Sequence, residues 1–337
     1  MSETKIQPQL IDRFGRQVTY VRMSITDRCD FRCVYCMDEE MTFMPREKLL
    51  TLEEIVFLLR AFCELGVEKV RITGGEPLVR RNVDWLFKEV GQLKSSTSLQ
   101  ELTLTTNGSQ LPQYAQSMVQ SGVDRINVSL DSLKADKFKE LTRTGELSKV
   151  LAGIDAAKKA GFKRIKLNAV IMKGRNDDEI IDLARFAIEH DLDISYIEEM
   201  PLGQVSHNRH ESFCSSDDVL ATLKTAFDLQ ASTSNTGGPS RYYQIAGTSS
   251  KVGFISPHTH NFCESCNRVR MTTEGRLLLC LGQEYSVDLR DIIRRYPGDS
   301  DRLKQAIIES MDIKPEGHDF NIKEQPVIFR HMSVTGG

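Results

Sequence analysis

Six of the eight cysteines in this 337-residue chain fall into two tight groups. Cys29, Cys33 and Cys36 are spaced C-x3-C-x2-C, and Cys263, Cys266 and Cys280 are spaced C-x2-C-x13-C. Three thiolates close together can wrap a metal centre without closing a four-ligand site, whereas structural zinc normally takes four ligands. A four-iron cluster has four corners, so three cysteines leave one iron open to a ligand that is not protein. Each group therefore points to a cluster with an open iron. The second group also admits a zinc site completed by His258 or His260. Zinc or a reactive-thiol cluster is the alternative for the first, although its 3-then-2 spacing is not that of the usual zinc knuckle. Cys63 lies in an apolar helical run and reads as core. Cys214, next to Phe213, carries no strong reading.

The elements that must position these groups alternate. Apolar runs predict strands near Val18–Ile25, Val67–Thr73, Glu101–Thr106, Arg125–Leu130, Ile165–Ile171 and Ile194–Ile197. Between them lie helical patterns at Thr51–Leu65, Val83–Leu93, Pro112–Gln120, Val150–Ala160 and Asp177–His190. Thr51 with Glu54 forms a capping box, Gly66 stops that helix, and Pro112 suits a first helical turn. Strands separated by helices pair in parallel through right-handed crossovers. The count of six units fits either an open doubly wound sheet or a partial barrel. Both place functional loops at the carboxyl ends of strands. The first cysteine loop, Thr73-Gly74-Gly75-Glu76-Pro77, Thr105-Thr106-Asn107-Gly108 and Ser129-Leu130-Asp131 all fall there. The alternation fades after Met200. Residues 231–240, small and polar, read as a linker or exposed loop. This divides the chain into residues 1–240 and 241–337, the second part holding short strands, the second cysteine group, two helices and a tail.

Composition narrows the class. Charged residues make up 27% and apolar residues 40%, with a formal charge of −3, which excludes disordered, collagen-like and coiled-coil chains. No apolar run approaches the length of a membrane span, so no membrane association is expected. The first residues lack the apolar core of a signal peptide, so a cytoplasmic protein is expected, where eight cysteines need a purpose other than disulfides. Near-zero net charge argues against a stable nucleic-acid complex.

Cys29-Asp30-Phe31-Arg32-Cys33-Val34-Tyr35-Cys36 resembles the signature of the radical S-adenosylmethionine (SAM) superfamily, and Gly74-Gly75-Glu76-Pro77 resembles its second motif. Further segments narrow the resemblance to the GTP 3′,8-cyclase family of molybdenum cofactor biosynthesis. They are residues 11–16 (IDRFGR), 71–78 (RITGGEPL), 105–108 (TTNG), 127–131 (NVSLD), 253–257 (GFISP), Phe262-Cys263 through Arg270, and the terminal Gly336-Gly337. Asp38, where that family usually has Pro, is a small departure that leaves the ligands intact.

The resemblance implies an α/β fold: a partial (βα)6 TIM-like barrel of the radical SAM type, with a C-terminal extension carrying a second iron–sulfur cluster. It implies a lyase with two [4Fe–4S] clusters and SAM as cofactors. In such an enzyme a 5′-deoxyadenosyl radical takes hydrogen from C3′ of GTP, and C3′ then bonds to C8 of the guanine. Cys29, Cys33 and Cys36 would hold the first cluster, and Cys263, Cys266 and Cys280 the second. Tyr35, Gly75, Ser129 and Met200 match SAM contacts. Arg22, Arg71, Thr105, Lys166, Arg268, Val269 and Arg270 match GTP contacts. Gly336, Gly337 and Arg22 would assist the radical chemistry. A small-molecule or protein reductant, a downstream cyclic pyranopterin monophosphate synthase and a second copy of the chain are the partners it implies.

Overall fold

The computed structural model describes residues 9–322 and 328–336. Twelve strands form one sheet: β1 Tyr20–Ser24, β2 Lys69–Thr73, β3 Glu101–Thr106, β4 Arg125–Ser129, β5 Ile165–Ile171, β6 Asp193–Glu198, β7 Leu229–Ser232, β8 Arg241–Ile245, β9 Lys251–Ile255, β10 Arg268–Met271, β11 Arg276–Leu278 and β12 Ser286–Asp288. Their order is β12-β11-β10-β1-β2-β3-β4-β5-β6-β9-β8-β7. The six expected strands are present and pair in parallel in chain order. Two more parallel strands flank them: β10 beside β1, and β9 beside β6. The parallel part of the sheet is thus wider than the six-unit reading, because β9 and β10 arrive outside the strand–helix alternation that periodicity detects.

The helices follow from local sequence. Leu52–Glu64 starts at Thr51, whose hydroxyl accepts from the Glu54 N–H while the Glu54 carboxylate accepts from the Thr51 N–H. Leu111–Gln120 carries Pro112 in its first turn. Val83–Gln92, Leu147–Ala160 and Ile180–Glu189 complete the expected set. Helices at Ala135–Thr142 and Ser216–Lys224 were not anticipated. The linker reading needs one correction: Ala231 and Ser232 belong to β7, paired antiparallel with Tyr243 and Tyr242.

Side-chain parity divides the parallel strands into two faces. Val21, Met23, Val70, Ile72, Leu102, Leu104, Ile126, Val128, Leu167 and Ile194 are buried with the helices in the main core. The alternate residues are polar or charged: Tyr20, Arg22, Lys69, Arg71, Thr103, Thr105, Asn127, Ser129, Lys166 and Asn168. An ordinary small barrel fills its interior with branched apolar side chains. Here the inner face is hydrophilic and encloses a cavity of about 270 Å³, lined from β1, β2, β3, β4, β5, β6, β9 and β10.

Candidate active site

The cysteine groups lie at opposite ends of that cavity, and strand direction puts them there. Cys29, Cys33 and Cys36 follow the carboxyl end of β1. Cys266 precedes the amino end of β10, which runs parallel to β1 with Arg268 opposite Tyr20. β11 returns antiparallel, with Leu278 opposite Arg270, and so brings Cys280 back to the level of Arg268. All six thiols line the cavity. At ~3.3 Å per residue, the length of β1 separates the two ends by about 13 Å.

At the first end, the peptide Cys33–Cys36 closes a tight turn, the Cys36 N–H donating to the Cys33 carbonyl at 2.9 Å. The Phe31 N–H donates to Cys29 Sγ at 3.3 Å. Burial pushes all three thiols up, Cys36 to about 12, so without a metal they stay protonated. Among the described residues no other cysteine stands with them, which suits a cluster with one iron left open. Beside this end, Gly74 and Gly75 lie against the backbone that follows β1. A Cβ on Gly75 would sit 2.5 Å from the Arg28 carbonyl oxygen, and one on Gly74 2.6 Å from that of Thr26. The glycine pair is therefore a packing requirement as well as a cavity wall.

Three acidic groups organise the loops here. Tyr35 Oη donates to Asp131 at 2.7 Å, and Asp131 also accepts from the Val170 N–H at 2.8 Å. Glu76, fully buried, accepts from the Asn107 N–H at 2.6 Å, the Leu78 N–H at 2.9 Å and the Thr106 hydroxyl at 2.9 Å. Asp30 accepts from Asn107 Nδ2 at 2.6 Å and the Ser109 hydroxyl at 2.6 Å. Tyr35, Gly75, Ser129 and Met200 all line the same end of the cavity, so the structure brings these predicted residues together. Asn107, Asp131 and Glu76 lie within the motif segments 105–108, 127–131 and 71–78 but are not among the expected site residues. Their position at strand ends was the available signal.

The middle of the cavity is a belt of cations in register. Arg270, Arg22 and Arg71 stand opposite one another on β10, β1 and β2, and Arg268, Tyr20 and Lys69 form the next row. Like charges directly opposite one another destabilise a sheet. Partners within the protein relieve this row: the Tyr20 phenol oxygen accepts from Arg71 Nε at 2.6 Å and Arg22 Nη1 at 3.3 Å, while Lys69 Nζ pairs with Glu101 at 2.7 Å and lies 5.0 Å from the Tyr20 ring centre. Burial alone would raise the Tyr20 phenol. Arg71, Arg22 and Lys69 overcome it and hold the phenol at about 6. Burial lowers Arg22 to about 10, Lys69 to about 8, and Lys166 and Arg270 below their usual values, with neighbouring cations adding to each effect. Thr105 accepts from Arg71 Nη1 at 3.3 Å, and Lys166 Nζ donates to Tyr242 Oη at 3.2 Å. Parity separates Val269 from this set: its side chain is in the apolar core, opposite Val21, so only its backbone can serve the cavity. Tyr20 and Lys69 belong to the belt but were not singled out from sequence.

The tail reaches the belt. Arg270 Nη1 donates to the Gly336 carbonyl at 2.5 Å. Gly336 has φ +77°, and a Cβ there would overlap Thr73 Oγ1 at 1.8 Å. Gly337 lies outside the described residues.

At the second end, the histidines offered as zinc ligands are engaged elsewhere. His258 Nε2 shares a hydrogen bond with the Glu199 carbonyl at 3.0 Å, and His260 Nε2 with Asp217 at 2.8 Å. Among the described residues no three His, Cys, Asp or Glu side chains converge as a single metal ion requires. A cubane held through one thiolate per iron does not need that convergence. Cys63 and Cys214 are buried in the core, their thiols pushed by burial to about 12 and about 11. Among the described residues no helix is long and apolar enough to cross a membrane.

Comparison with known proteins bears on the fold and the family. The Radical SAM superfamily profile matches residues 23–187, and that for Molybdenum Cofactor Synthesis C matches residues 192–320. Among solved structures, SuiB of Streptococcus suis shares the fold at 16% identity and TM-score 0.59, covering 96% of this chain and 78% of that one. Its S-adenosylmethionine-bound form aligns at 15% identity and TM-score 0.58, covering 96% and 79%. Much closer in sequence is the GTP 3′,8-cyclase of Saccharophagus degradans, 57% identical over 329 residues, 97% of this chain and 98% of the relative. Those of Pseudomonas putida strain W619 (97% of this chain, 98% of the relative) and Marinobacter nauticus (98% and 99%) are each 56% identical. With identity of this order along nearly the whole of both chains, this chain belongs to the GTP 3′,8-cyclase family of the radical SAM superfamily.

Proposed function

We propose that this chain converts GTP to (8S)-3′,8-cyclo-7,8-dihydroguanosine 5′-triphosphate, an early step of molybdenum cofactor biosynthesis. The carrying observation is the in-register cationic belt lying between two three-cysteine groups in one cavity. A buried row of like charges is costly unless an anion completes it, and a polyanionic triphosphate is such an anion. Arg22, Lys69, Arg71, Lys166, Arg268 and Arg270 supply its cationic wall, with charge-assisted hydrogen bonds as the holding interaction. Thr105 adds a hydroxyl. Cys29, Cys33 and Cys36 hold a [4Fe–4S] cluster, and Cys263, Cys266 and Cys280 hold a second.

When bound, the first cluster and SAM supply a 5′-deoxyadenosyl radical. This chain's residues do the rest by position and exclusion of water. Tyr35, fixed by Asp131, with Gly75, Ser129 and Met200, forms the SAM side of the cavity. Holding the triphosphate on the belt keeps the ribose between the two ends, where its C3′ hydrogen is exposed to that side. The Gly336 carbonyl orients the Arg270 guanidinium at the edge of the belt. A one-electron reductant, a downstream cyclic pyranopterin monophosphate synthase, a second copy of the chain and a cytoplasmic setting complete this reading.

The test is anaerobic incubation of the iron-reconstituted protein with GTP, SAM and a strong reductant, followed by mass spectrometry. A GTP isomer and 5′-deoxyadenosine are expected. Cys36→Ala should abolish both products. Cys266→Ala should retain 5′-deoxyadenosine while losing the isomer. SAM cleavage without any GTP isomer in the unaltered protein would overturn the assignment.

A further inference from the structure

Among the described residues the four least exposed cationic residues are Lys69, Arg71, Arg209 and Lys314. Three have an evident reason. Lys69 pairs with Glu101 at 2.7 Å, and Arg209 with Glu199 at 3.1 Å. Arg71 meets Tyr20 and faces the nucleotide cavity. Lys314 is different. It is 1% exposed, and no described carboxylate stands within ion-pair distance. Its ammonium donates to the Leu279 carbonyl at 2.7 Å and the Arg268 carbonyl at 3.0 Å, and its third contact is Cys266 Sγ at 3.7 Å. Two neutral carbonyls satisfy donors but do not balance a charge, and an uncompensated buried ion is strongly unfavourable.

The surroundings fix this ammonium against the second cysteine group. Leu279 precedes Cys280, and Arg268 follows Cys266 by two residues, so both carbonyl partners lie on the segments that carry the thiols. Arg16 ties the next turn of chain to the same place, donating to the carbonyls of Pro315 and Glu316 at 2.6 Å each and of Cys263 at 2.9 Å. Arg16 has its own counter-charge in Asp12 at 2.7 Å. Among the described residues Lys314, the least exposed cation, is left with the Cys266 thiol as its side-chain partner.

We propose that Lys314 is the resident counter-ion of the iron–sulfur cluster held by Cys263, Cys266 and Cys280, and that its charge and hydrogen bond to Cys266 raise that cluster's reduction potential. The inference rests on the second cluster of the proposed function. Net charge and hydrogen bonds to the ligating sulfurs are among the features that set cluster potentials. A positive charge against the thiolates stabilises the form carrying the extra electron. Lys314 is therefore a positioning residue, acting through the cluster.

The test is a potentiometric titration of the full-length, reconstituted enzyme followed by electron paramagnetic resonance, with iron content measured on the same samples. The first cluster is an internal reference, and Cys36→Ala identifies its signal. Lys314→Met should lower the second cluster's midpoint so that its reduced fraction at a fixed potential falls at least tenfold, about 59 mV for a one-electron couple. The first cluster's midpoint should stay unchanged. Lys314→Arg, which keeps the charge, should restore most of the shift. Loss of the second cluster's iron from Lys314→Met but not from Lys314→Arg would also support the proposal. An unchanged midpoint in Lys314→Met with both clusters retained would overturn it, as would loss of the cluster from both variants, which would make shape rather than charge decisive. A wild-type enzyme that assembles only the first cluster would remove the basis of the proposal and show itself as halved iron in the unaltered protein.

Discussion

Tyr20 and Lys69 show how one row of side chains divides its charge before any nucleotide is present. The phenol, held at about 6 by Arg71, Arg22 and Lys69 against the opposing effect of burial, is anionic at neutral pH. The Lys69 ammonium, lowered to about 8 by burial and by Arg71 and Arg125, is only partly charged just above neutrality. A bound triphosphate favours the charged lysine, so binding takes up protons near pH 8. GTP affinity should then fall as pH rises above 8, by at most about tenfold per pH unit. Lys69→Arg, which keeps its charge, should flatten that limb. Calorimetric binding across this window checks both statements. At this scale much of the site was legible: the six cysteines stood out by spacing, Arg22, Arg71, Lys166, Arg268 and Arg270 were expected from the family resemblance, and all line one cavity. Tyr20 and Lys69 were missed because a lone Tyr or Lys in an apolar run reads as an ordinary strand residue. Only the cross-strand register makes it a neighbour of arginines.

Periodicity located the strands and helices that carry these side chains, because each buries an apolar face against the others. It could not locate β9 and β10. Their partners lie far away in sequence, on β6 and β1, and pairing over that separation is decided by tertiary structure. Helix packing also holds information that propensity hides. Gly153, inside Leu147–Ala160, stands where a Cβ would come within 2.1 Å of the Gly108 carbonyl oxygen and 3.3 Å of Leu111 Cβ. Alanine is the better helix former by about 1 kcal/mol. Even so, Gly153→Ala should destabilise the protein by about 1–3 kcal/mol, because overpacking outweighs that gain. A denaturant unfolding curve gives the sign directly. A stabilised variant would mean that the helix shifts freely away from the loop after β3.

Across the whole molecule, the final residues join parts distant in sequence. The Ile328 carbonyl accepts from the Gly203 N–H at 2.9 Å, and the Gly336 carbonyl accepts from Arg270. With φ +77° and no space for a Cβ, Gly336 cannot become alanine without withdrawing from Thr73. Gly336→Ala should leave the thermal midpoint almost unchanged. It should cut yield of the cyclised product about ten- to a hundred-fold, the equivalent of a lost charge-assisted hydrogen bond of roughly 1.5–3 kcal/mol. Coupled mass spectrometry and melting curves separate these effects, and a parallel loss of stability would assign the tail a structural role instead. Sequence marked the terminal Gly-Gly through family resemblance. Its meeting with Arg270 depends on a path of chain that no local pattern encodes. The sheet itself crosses the expected division at residue 240. Had synthesis or proteolysis stopped there, β1 and β6 would lose β10 and β9 and become raw parallel edges, each with unpaired backbone groups and an apolar flank. Exposed edges of that kind recruit other chains. The first 240 residues alone would thus be a seed for aggregation rather than a smaller enzyme, and the later residues act as their solubility tag.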